Sequence, residues 1–118
     1  MPKVLVVDDS QDNAILLAEL LSRSGCETAF AFDGASALEV AESFDPDVIF
    51  LDLRLPDMDG QQVAQALRER SSQERLKIVA LSGSEIILPD DALFDCHLLK
   101  PVKLETLLGF VDCSEPVA

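Results

Sequence analysis

Positive charge is scarce in this sequence. Nine Lys and Arg residues face 22 Asp and Glu, for a formal net charge of −13. Phosphate recognition needs a basic face, so DNA and RNA are not expected partners of this domain. No run of about 18 apolar residues exists, so no membrane insertion is expected. The chain does not open with a basic stretch followed by an apolar one, which argues against secretion and for the cytoplasm. Cys26, Cys96 and Cys113 are odd in number and contain no CxxC pair, so neither a disulfide framework nor a zinc site is indicated. Phosphate-cradling loops of the GxGxxG or GxxxxGK[ST] kind are also missing. The excess acidity suits a divalent cation, a basic patch on a protein partner, or plain solubility.

What is present is enough for one domain. The 118 residues are 48% hydrophobic, without repeats or linkers. Residues 1–113 are expected to form that domain, with 114–118 as a flexible tail. Short continuous apolar runs lie at residues 4–7, 48–51 and 78–81, with weaker ones at 27–32 and 96–99. Continuous rather than alternating runs predict strands covered on both faces. Helical patterns fill the gaps at residues 12–22, 35–43, 61–70 and 104–111, and Gly25 can stop the first. Strands alternating with helices predict a doubly wound parallel sheet, an α/β three-layer sandwich with its functional groups at the carboxyl ends of the strands.

Those ends carry chemistry. The first strand runs into Asp8-Asp9, the third into Asp52, the fourth into Ser82-Gly83 and the fifth into Lys100-Pro101. Each has a plain reading: Asp8-Asp9 and Asp52 as turn residues, Ser82 as a helix cap, Lys100 as a solvated loop lysine. Jointly, in this order, they suggest a site. Three converging carboxylates repel unless a positive charge sits among them. Mg²⁺ is the simplest solution, because it takes one or two carboxylates and completes its shell with water and phosphate oxygens. Asp8, Asp9 and Asp52 would then balance Mg²⁺ and Lys100. Asp52 could attack a phosphoryl donor as a nucleophile, with Lys100 and the Ser82 hydroxyl holding phosphoryl oxygens.

These residues resemble the receiver domains of two-component response regulators across nearly the whole chain. Asp8-Asp9 resembles the metal-binding pair of that family. Asp52-Leu53-Arg54-Leu55-Pro56-Asp57-Met58-Asp59-Gly60 resembles its phosphoacceptor loop, and Lys100-Pro101 its lysine and following proline. The resemblance implies a flavodoxin-like five-stranded sheet of order 2-1-3-4-5. It further implies phosphorylation of Asp52 by a histidine kinase or a histidine phosphotransfer protein, and a downstream protein target. Mg²⁺ is implied as cofactor, bound by Asp8, Asp9, Asp52 and the Arg54 carbonyl. A cis Lys100-Pro101 peptide and a switch built on Ser82 are implied too. The chain would be no enzyme beyond its own phosphorylation and dephosphorylation. The residues around Lys100 are most similar to receivers of hybrid sensor kinases.

Two positions depart from the family pattern. His97, the one histidine, stands where an aromatic switch residue is usual. It either takes that role or is a partly buried strand histidine. The stretch from Ser82 to Lys100 is about one helical turn short and contains Pro89, which predicts a shortened helix between the fourth and fifth strands. A phosphorylation-independent receiver-like adaptor therefore stays open as the alternative. A phosphatase of the haloacid dehalogenase type fits poorly, because it needs an acid–base Asp where Arg54 stands.

Overall fold

The computed structural model describes residues 2–70, 76–82, 94, 96–99, 103–109 and 111. Among them are five strands: β1 (Lys3–Val7), β2 (Glu27–Ala31), β3 (Val48–Asp52), β4 (Lys77–Ser82) and β5 (Cys96–Leu99). Between and after them lie α1 (Gln11–Arg23), α2 (Gly34–Phe44), α3 (Gly60–Arg70) and α4 (Leu104–Leu108). All pairings are parallel, in the order β2-β1-β3-β4-β5. That is the expected topology. The expected short helix between β4 and β5 falls on residues 83–93, outside the described residues, as does the tail.

The apolar runs are continuous because both faces of the sheet are covered. Val4 and Val6 of β1, Val48 and Phe50 of β3, and Val79 and Leu81 of β4 enter one core, with Ala14, Ala18 and Leu21 of α1 and Leu107 of α4. Leu5 and Val7, Ile49 and Leu51, and Ile78 and Ala80 enter the other, with Ala37 of α2 and Val63, Ala64 and Leu67 of α3. Each such large side chain contributes roughly 1.5–3 kcal/mol by leaving water. The edge strand β2 is mostly half-buried or exposed, which explains its weaker signal.

Caps set the helix ends. The Ser10 hydroxyl accepts the Asn13 N–H and starts α1. As expected, Gly25 follows its end, at φ 102°, where only glycine sits without strain. The last helix is shorter than the apolar pattern predicts. It stops at Leu108, and Gly109 turns its N–H onto the Glu105 and Thr106 carbonyls. Val111 still reaches the core through a turn, its N–H bonding the Leu108 carbonyl. Burial of an apolar residue thus continues where the helix does not.

Candidate functional site

Topology brings the acidic groups together. β1 and β3 are neighbours with Val7 opposite Leu51, so Asp8, next after β1, comes beside Asp52, the last residue of β3. β3 and β4 are also neighbours, with Asp52 opposite Leu81 and Ser82 just beyond. Asp8, Asp52 and Ser82 are all buried, at 1%, 5% and 3% exposure, while Asp9 is exposed. They are the buried polar or charged residues among those described, and all three stand at one edge of the sheet.

Local bonds orient the carboxylates. Asp8 Oδ1 accepts the Ser10 N–H at 2.9 Å, and Asp52 Oδ1 accepts the Arg54 N–H at 3.0 Å. The turn reading holds for both aspartates, and it is compatible with a site, since a carboxylate has about four lone-pair sites and can serve a backbone N–H and another partner together.

The chemistry of the donor set fits a hard cation. Asp8, Asp9 and Asp52 each offer a carboxylate oxygen, and these oxygens lie within 4.8 Å of one another. An octahedral Mg²⁺ shell at about 2.1 Å places neighbouring oxygens about 3 Å apart and opposite ones about 4.2 Å apart. Asp9, the exposed member of the three, is the side chain with room to adjust to such a shell. The geometry can hold a small divalent ion and leave positions for water or a phosphoryl oxygen.

The remaining expected residues are placed unevenly. Arg54 is exposed, its backbone bridged to Asp59. His97 lies on β5 opposite Ala80, with its side chain outside the described residues. Lys100 and Pro101 also lie outside them, so the expected lysine partner and cis peptide are not placed.

The structure adds residues that the sequence reading missed. Asp59 and Gln62 cap α3 reciprocally: the Gln62 N–H donates to Asp59 Oδ1 at 3.0 Å, and the Asp59 N–H donates to Gln62 Oε1 at 3.1 Å. An Asp-x-x-Gln spacing is a variant of the capping box and could have been found. Asp57 has no such signature. Its two oxygens accept the Gly34 and Ala35 N–H groups at 2.8 and 2.9 Å, across 23 and 22 residues of chain. The Gly34 N–H, then the Ala35 N–H, hold its carboxyl below the ordinary value of 3.8. Asp57 is exposed, so solvent screens this attraction.

Comparison with known proteins agrees with this geometry. The family profile described as "Response regulator receiver domain" matches residues 4–112. The chain belongs to the response regulator receiver family. It is similar to Protein PilG of Pseudomonas aeruginosa, at 31% identity over 97% of the chain and 87% of that protein. It is also similar to hybrid signal transduction histidine kinase L of Dictyostelium discoideum, at 39% identity over 86% of the chain and 6% of that protein. The transcriptional regulatory protein PrrA of Mycobacterium tuberculosis is 38% identical over 93% of the chain and 48% of its own length. The chain thus spans a small part of the kinase and about half of PrrA.

Solved structures match as well. A CheY-like receiver domain from Methylobacillus flagellatus superposes with a TM-score of 0.84 at 32% identity, covering 93% of this chain and 95% of that one. The response regulator TrrA of Thermotoga maritima, in complex with Mg²⁺–BeF, gives 0.81 at 28% identity, covering 93% and 96%. Among the described residues no helix is long and apolar enough to cross a membrane.

Proposed function

We propose that Asp52 accepts a phosphoryl group from the phosphohistidine of a histidine kinase or a histidine phosphotransfer protein. The supporting observation is the set of three carboxylate oxygens within 4.8 Å at the carboxyl edge of the sheet, one of them from Asp52. Asp8, Asp9, Asp52 and the Arg54 carbonyl would hold Mg²⁺. The chemistry that a bound ion supplies there is neutralisation of carboxylate and phosphoryl charge.

The chain's own residues do the rest. An Asp52 oxygen attacks phosphorus, the P–N bond breaks, and the imidazole nitrogen leaves with the electron pair. The Arg54 N–H on the other oxygen fixes the rotation of the carboxylate. Ser82 and Lys100 are assigned to the new phosphoryl oxygens, and His97 to the switch that follows. The added charge biases a two-state rearrangement that a downstream protein reads. Catalysis is confined to the chain's own phosphorylation and dephosphorylation. We place this activity in the cytoplasm, with no nucleic-acid contact by this domain itself.

Incubation with acetyl phosphate and Mg²⁺, followed by intact-mass measurement, tests the reading. A gain of one phosphoryl that disappears in Asp52→Asn is expected. No modification by acetyl phosphate or by any phosphohistidine donor would leave the phosphorylation-independent adaptor in its place.

A further inference from the structure

The loop between β3 and α3 is closed at its neck. The Gly60 N–H bonds the Leu53 carbonyl at 2.9 Å, and Arg54 and Asp59 form an antiparallel bridge. Asp57 lies beyond that neck and takes the first two N–H groups of α2 on its two oxygens. The cap local to α2 comes from a different residue. Asp33 already accepts the Ser36 N–H at 2.7 Å, and the Asp33 carbonyl accepts the Ala37 N–H. Gly34 is buried while Ala35 is exposed, so Asp57 gives the buried first N–H of α2 a partner from a distant loop rather than from its own cap. Met58, next in the loop, packs so close to Gly34 that a Cβ there would overlap its Cγ and Sδ. Two consecutive loop residues thus engage the same residue at the start of α2.

We infer that Asp57 is a positioning residue: it latches the closed loop to the start of α2 and so fixes the Arg54 peptide against the phosphoacceptor carboxylate. The connection is continuous. It runs from Gly34 and Ala35 through Asp57 and the Arg54–Asp59 bridge to the Arg54 N–H on Asp52 Oδ1. This inference rests on the proposed phosphoacceptor role of Asp52. By linkage, whatever binds the ordered site better than the loosened one also tightens the latch.

The test uses the full chain and Mg²⁺ alone, titrated by calorimetry into wild type, Asp57→Ala and Asp57→Asn. Loss of an outer support of a metal site weakens affinity by about tenfold or more, and that is expected for Asp57→Ala. Asp57→Asn keeps one acceptor oxygen and should fall between. With acetyl phosphate, the Mg²⁺ concentration for half-maximal phosphorylation should rise for Asp57→Ala, and less for Asp57→Asn. Exchange of the Gly34 and Ala35 amides should slow on Mg²⁺ addition in wild type only. Wild-type Mg²⁺ binding in both variants would overturn the latch alone, leaving Asp57 a helix cap. Failure of wild type itself to bind Mg²⁺ would remove the phosphoacceptor reading and the latch together. Circular dichroism confirms that each variant is folded.

Discussion

Asp52 receives the Arg54 backbone N–H on Oδ1 at 3.0 Å, so the acidic residue at the end of β3 is oriented by the loop that follows it. A side chain 5% exposed and tied in this way has little rotational freedom. Asp52→Asn keeps the shape and one acceptor oxygen but removes the charge and the nucleophile. The expected outcome is loss of phosphorylation by acetyl phosphate with the fold retained, read by intact mass and circular dichroism.

Asp8, Asp9 and Asp52 bring carboxylate oxygens within 4.8 Å of one another, a mutual repulsion that a bound cation relieves. Mg²⁺ should therefore raise the melting temperature. A ligand at 100 times its Kd stabilises by about 2.7 kcal/mol. Asp9→Asn should melt higher than wild type in a chelator and gain less from Mg²⁺. Thermal melts with and without Mg²⁺ measure both effects.

Glycine 60 and glycine 34 both sit against neighbours, but of different kinds. A Cβ at Gly60 would lie 2.7 Å from Leu53 Cα, which is backbone and cannot move aside. A Cβ at Gly34 would overlap Met58 Cγ and Sδ and touch Val63 Cγ2, all side-chain atoms, of which the half-buried Met58 can swing aside. Gly60→Ala should cost about 1–3 kcal/mol, the range for forced overpacking, and Gly34→Ala less. Urea unfolding of the two variants compares them directly.

The Asp57 carboxyl titrates below 3.8 because the Gly34 and Ala35 N–H groups favour its charged form. A depressed folded value means stability that is full above the ordinary value and is lost as pH falls through the lower one. Wild type should thus be more stable than Asp57→Asn near neutrality. That difference should hold down to about pH 4 and close below it. Denaturant titrations at several pH values measure the gap.

Much of the fold was legible because burial left a local trace. β1, β3 and β4 read as unbroken apolar runs since helices cover both faces, and the residues at their ends are Asp8, Asp9, Asp52 and Ser82. β2 read faintly because it lies at the sheet's edge, with Phe30 exposed. The end of α4 departs from the apolar pattern, since Val111 is buried from a turn and apolar spacing alone does not separate a turn from a helix. Asp57 was invisible for a different reason. Its partners lie 22 and 23 positions away, and a carboxylate in a Pro-Asp stretch reads as an ordinary turn residue.

All five residues of β3 are buried, and Asp52 is the last of them. A group reacting with it cannot meet it halfway, because the strand is walled by neighbours on either side and by helices above and below. On the proposed function, the phosphoryl donor meets Asp52 at the carboxyl end of β3, where a protruding imidazole reaches a buried carboxylate more readily than a flat surface does.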